Sequence, residues 1–129
     1  MKKKLSLEEM VTFVRHVAEM ALTEERPFDA GVLVQDPDGQ LSILMTPPLP
    51  DDREKQLITD LTAFLEEKAA THYVYMTALT PSTRVIYIYG ATREGERLAR
   101  RLDVDEDHLH EHPHEGHHQF MELFPHTLH

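Results

Sequence analysis

Residues 30–45 read Ala30-Gly-Val-Leu-Val-Gln-Asp-Pro-Asp-Gly-Gln-Leu-Ser-Ile-Leu-Met45. The run Ala30–Val34 is nearly all apolar, as in a strand covered on both faces. Asp36-Pro37-Asp38-Gly39 spells a turn, because proline presets the first central dihedral and glycine supplies the positive one. Leu41, Ile43 and Met45 then alternate with Gln40 and Ser42, the period of a half-buried strand. The stretch therefore predicts a hairpin of Asp29–Gln35 and Gln40–Met45.

Upstream lies a helix. Ser6 with Glu9 three residues later makes a capping box. Leu7, Met10, Val11, Val14, Val17, Ala18 and Ala21 recur at three- and four-residue steps and form one apolar stripe. Phe13 and Met20 lie beside that stripe and widen it, as on a helix that touches something besides its own sheet. Glu24, Glu25, Arg26 and Pro27 close the segment.

Downstream, Thr46-Pro-Pro-Leu-Pro50 is a stiff connector. Asp51 can cap a second helix whose buried stripe is Leu57, Ile58, Leu61, Phe64 and Leu65. His72–Leu79 and Arg84–Gly90 form a second hairpin around Thr80-Pro-Ser-Thr83, rich in the β-branched and aromatic residues that suit a pleated surface. Glu94–Leu102 reads either as a short helix or, by alternation of Leu98, Leu102 and Val104, as a fifth strand. The strand is preferred, because it would cover a sheet edge.

The order helix-strand-strand-helix-strand-strand, then a strand or short helix and a docked tail, predicts an α+β fold. The expected sheet is antiparallel, of four to six strands, with two helices on one face. An α+β domain is expected over residues 1–107. A His-rich segment over 108–129 would be docked through residues 119–124. Phe120, Met121, Leu123 and Phe124 motivate that docking, since each is worth about 1.5–3 kcal/mol when fully buried.

The chain of 129 residues carries 13 basic and 23 acidic side chains, a formal net charge of −10. That charge repels nucleic-acid backbones and anionic membranes, so neither is expected as a partner. With no cysteine, disulfides, iron–sulfur clusters and thiolate zinc sites are excluded. No signal peptide is read at the start, where Glu8 and Glu9 interrupt any apolar stretch, and a cytoplasmic location is expected.

Eight of the 10 histidines fall between 108 and 129. His108, His110, His112, His114, His117 and His118 are the candidate metal ligands, with zinc or nickel the ions that neutral imidazole suits. A histidine-rich tract also binds metal by composition alone, so no cofactor is required by this pattern. The string His110-Glu-His-Pro113 resembles the core of JAMM-type metalloproteases over four residues. Phe120 and Leu123 stand where that family places a serine and an aspartate, so its activity is not carried over. No His-Glu-x-x-His helix, phosphate loop or serine elbow is present, and no catalytic residue is assigned.

The four tyrosines, Tyr73, Tyr75, Tyr87 and Tyr89, all lie in the second hairpin. They read either as core or as an amphipathic patch for a partner or second subunit. The apolar runs at 30–34 and 72–79 require cover on a second sheet face, which a tail or another copy would supply. The expectation is a non-enzymatic, acidic protein-interaction module of unknown pathway, self-associating as a homodimer or binding another protein. The alternative is a metal-binding protein that buffers or senses zinc or nickel through its His-rich segment.

Overall fold

The computed structural model describes residues 4–46, 54–106, 108–113 and 119–124. The elements run α1 (Leu7–Thr23), β1 (Ala30–Gln35), β2 (Leu41–Thr46), α2 (Glu54–Glu67), β3 (His72–Met76), β4 (Val85–Thr92), β5 (Arg97–Asp105) and β6 (His108–Pro113). A short 3-10 turn, Gln119–Met121, follows. The strands form one antiparallel six-stranded sheet in the order β2-β1-β3-β4-β5-β6. The α+β class and the helix–hairpin order are those expected from the sequence.

The local signals account for the elements. Ser6 Oγ accepts from the Glu9 N–H at 3.1 Å, and Glu9 Oε1 accepts from the Ser6 N–H at 3.0 Å, closing the capping box. In the β1–β2 turn the Gly39 N–H donates to the Asp36 carbonyl, and Gly39 takes a φ of 84°. Asp36 Oδ1 also accepts from the Asp38 and Gln40 N–H groups, so the aspartate fixes the turn.

One expectation is corrected. The two helices lie on opposite faces of the sheet, not on one. Leu33, Val74, Met76, Ile86, Ile88, Leu98 and Leu102 pack under α1 through Met10, Val11, Val14 and Ala18. Val32, Val34, Tyr73, Tyr75, Tyr89, Ala91 and Ala99 form the other face, packed with Leu61 and Leu65 of α2 and with Phe120–Phe124. The physical reason is the period of a strand. Consecutive side chains point to opposite faces, so continuous apolar runs make two faces that both need cover. The second face is covered by the chain's own α2 and 119–124 segment, which removes the reason given above for a second copy there.

The ambiguous stretch is β5, whose Leu98 and Leu102 face α1 while Ala99 faces the other side. Residues 108–113 of the His-rich segment are β6, paired along β5 from Asp105↔His108 to Arg100↔Pro113. The start of this segment is thus a strand of the sheet itself. Gly90 permits the close seat of α1 on β4: a Cβ there would lie 3.1 Å from Leu7 Cδ1 and 3.1 Å from the Tyr73 carbonyl.

Both helices end in the left-handed turn that favours glycine, without having one. The Arg26 N–H donates to the Ala21 carbonyl and the Ala70 N–H to the Leu65 carbonyl, the long bonds of Schellman motifs. Glu25 (φ 57°) and Ala69 (φ 53°) hold the positive dihedrals. Ala69→Gly should therefore stabilise the chain by about 0.5–1 kcal/mol, since an L-residue pays about 1–2 kcal/mol there and glycine's extra unfolded-state entropy returns part of it. Chemical denaturation checks this; an unchanged or lower midpoint would remove the left-handed cap at Ala69.

Candidate interaction face

α1 packs over β3 and β4 and reaches β6, and among the described residues no helix lies over the part of that face formed by β1 and β2. Strand pairing brings Leu41 beside Gln35, Ile43 beside Leu33 and Met45 beside Gly31. Leu41, Ile43 and Met45 share the face on which Leu33 meets α1. Gly31 has room for its neighbour: a Cβ on it would lie 2.8 Å from Met45 Sδ, so Met45 lies across β1.

Phe13, Val17 and Met20 follow one another at four- and three-residue steps and stand on one flank of α1. The six side chains from α1 and β2 are the exposed large hydrophobics of the described residues, with exposures from 39% at Leu41 to 58% at Ile43. Phe13, Val17, Ile43 and Met45 also line a shared hollow of about 100 Å³, whose one charged lining residue is Asp29. The result is an apolar corner: the α1 flank is its wall and β1–β2 its floor. A second, larger hollow of about 770 Å³ lies at the C-terminal end of α1. Its lining mixes Arg26, Glu25, Glu106 and several threonines with apolar groups.

The proposed tyrosine patch occupies a different place. Tyr73, Tyr75 and Tyr89 are buried and Tyr87 is half-buried. Tyr75 stacks on Phe120 with ring centroids 4.4 Å apart, and Phe124 meets Tyr73 edge-on at 5.1 Å. The Tyr73 hydroxyl donates to the Phe120 carbonyl at 2.6 Å and accepts from the Leu123 N–H at 3.2 Å. Arg97 forks onto Glu122, with contacts of 2.6 and 2.7 Å, and Arg93 lies 4.7 Å above the Phe124 ring. Tyr73, Tyr75 and Tyr89 therefore hold the chain's own 119–124 segment, and these three are buried.

Of the candidate metal ligands, His108, His110 and His112 lie on β6, while His114, His117 and His118 lie outside the described residues. Leu109 packs on the α1 side, and Glu111 meets Arg15 of α1 at 3.3 Å. By alternation the three histidines project from the opposite side. His112 Nε2 lies 3.2 Å from Asp103 and His110 Nε2 3.7 Å from Asp105. Among the described residues no three histidine, aspartate or glutamate side chains converge on a point that would hold a metal ion.

No protein-family model, curated protein or solved structure matches this chain. No helix of the described residues is long and apolar enough to cross a membrane.

Burial pushes the Tyr73 hydroxyl well above its ordinary pKa of 10.0, with the Leu123 N–H opposing the shift. A raised folded pKa contributes stability that is complete below the unfolded value, about 10, and is lost as pH rises past it. Tyr73→Phe should cost about 1–3 kcal/mol at pH 7, because the Leu123 N–H loses its acceptor. The penalty should shrink above pH 10. Denaturant titrations of both proteins at pH 7 and pH 11 check this; an equal penalty at both would place the ionising hydroxyl elsewhere.

Proposed function

We propose that this chain is a non-enzymatic protein-interaction module that docks protein on the corner between α1 and β1–β2. The observation that carries this reading is the grouping of the exposed large hydrophobics. Phe13, Val17, Met20, Leu41, Ile43 and Met45 stand on one side of the sheet, and four of them, Phe13, Val17, Ile43 and Met45, line a shared hollow. Apolar side chains scattered singly over a surface need no explanation, whereas a contiguous patch marks an interaction site. Edge-strand chemistry supports it too. β6 carries histidines, Glu111 and Pro113, the residues that discourage an edge from pairing, but β2 reads Leu-Ser-Ile-Leu-Met-Thr without charge or proline.

Ile43→Gln should leave stability within about 0.5 kcal/mol, since it touches no feature on which folding depends. A photo-reactive side chain at position 43 should yield a discrete protein adduct in the producing cell. The same group at position 60, on the exposed side of α2, should not. A large loss of stability would make the face structural, and equal labelling at both positions would remove it as a docking site.

A second reading, divalent-metal binding by the His-rich segment, is favoured by one observation. Three alternate imidazoles on β6 stand beside Asp103 and Asp105 of β5. Neighbours on one strand face are about 7 Å apart, so an ion would need added ligands or a change of rotamer to be enclosed. Zinc titration of the full chain tests it. Stoichiometric binding lost in the triple variant His108→Asn, His110→Asn, His112→Asn would support this reading, and weak binding indifferent to the triple variant would discard it.

A further inference from the structure

The part of the α1-side face that the described residues leave open has the dimensions of one helix. β1 and β2 together are roughly 10 Å wide at the usual strand spacing, and a helix with its side chains is about 10–12 Å across. β2 has 6 residues, giving a floor about 20 Å long, the length of a helix of about 14 residues. The floor offers Leu41, Ile43 and Met45, and the wall offers Phe13, Val17 and Met20. A helix lying there would bury one stripe on the sheet and a second on α1, completing a layer that α1 fills only in part.

The border of this slot is mainly acidic. Asp29 is on the lining, and Asp38 sits in the turn at the far end of the floor. Of the nearby basic groups, Arg26 is paired with Glu24 at 3.5 Å, and Lys4 precedes the Leu5–Gln35 contact. The chain as a whole has a formal net charge of −10.

A second copy is poorly suited to fill the slot. The exposed side of α2 carries Lys55, Thr59, Asp60, Glu66 and Glu67, with Lys68 just after it, and α1 turns Thr12, His16 and Glu19 outward. Each would bring polar or charged groups onto an apolar floor, and two copies meeting corner to corner would set their two acidic borders against each other. Pairing two β2 edges would extend the sheet but leave the floor bare.

We propose that the corner formed by Phe13, Val17 and Met20 of α1 with Leu41, Ile43 and Met45 of β2 receives one amphipathic helix of a partner protein, apolar on the buried side and basic on its flanks. This inference rests on the interaction reading above and specifies its occupant. Recognition combines apolar anchors at three- and four-residue steps with lysine or arginine placed near Asp29 and Asp38.

The test uses the full-length chain and three synthetic helical peptides of the same length. One has a leucine stripe flanked by lysines, one has glutamates in place of the lysines, and one is the basic sequence scrambled. The basic amphipathic peptide should bind about tenfold or more tightly than the acidic one, the sum of a few screened ion pairs. Its affinity should fall with added salt. Its amide-shift changes should centre on residues 13–20 and 41–45. Ile43→Gln should weaken it, and Asp29→Asn with Asp38→Asn should narrow the gap between the basic and acidic peptides. Equal binding of all three peptides, or shifts mapped elsewhere, would overturn the proposal. So would sedimentation showing that two copies bury this face, or contacts from Leu49 of the chain's own connector to Ile43. A discrete adduct from position 43 together with no binding of the basic helix would retain the interaction reading and reject this occupant. Loss of both would reject both.

Discussion

β3 is buried at each of Tyr73, Val74, Tyr75 and Met76, and successive side chains there face opposite sides of the sheet. A strand of this kind must be covered twice, and that requirement organises the molecule. α1 covers one side through Met10, Val14 and Ala18, while α2 and the 119–124 segment share the other. The polar groups drawn inside are paired. Gln35 is fully buried, and its amide exchanges two hydrogen bonds with the Leu5 backbone at 2.7 and 2.8 Å. Among the described residues no buried side-chain polar atom lacks a partner.

The two covers are unequal. Among the described residues the Tyr75 face receives a helix plus a separate aromatic turn, whereas the α1 face receives one helix for six strands. Ion pairs at the β6 side hold α1 toward that edge: Arg15 with Glu111 at 3.3 Å and Arg100 with Glu8 at 2.8 Å. Exposed pairs of this kind add little stability, but they bias where the helix rests. The uncovered β1–β2 floor is the complement of that placement, so the proposed interaction face arises from the same packing that builds the core.

Much of this architecture was legible in the residues. The capping box, the Asp36–Gly39 turn and the apolar stripes placed both helices and both hairpins, because each is a local signal with a local cause. The breadth of the apolar side of α1 was legible too, and the structure leaves Phe13 and Met20 exposed on its flank. The placement of the helices on opposite faces was not legible from the strands alone, since alternation shows that two faces are apolar but not which helix covers each. For the same reason Leu41, Ile43 and Met45 read as ordinary core; only the lateral position of α1 leaves them open. The tyrosines misled in the opposite direction, because an amphipathic ring looks alike in sequence whether a partner or the chain's own later residues cover it. Residues 108–113 carried the alternation of a strand beneath an unusual composition, and composition drew attention to metal chemistry first.

The hydroxyl of Tyr73 is satisfied by a carbonyl 47 positions further along the chain. During synthesis the ribbon of β1 to β5 can therefore emerge while its aromatic side still lacks a lid. Until Phe124 clears the ribosome exit, Tyr75 and Tyr89 present a greasy plate of the kind that chaperones grip. A polypeptide cut short before residue 119 would leave Tyr75 and Tyr89 without the Phe120 ring that stacks on both.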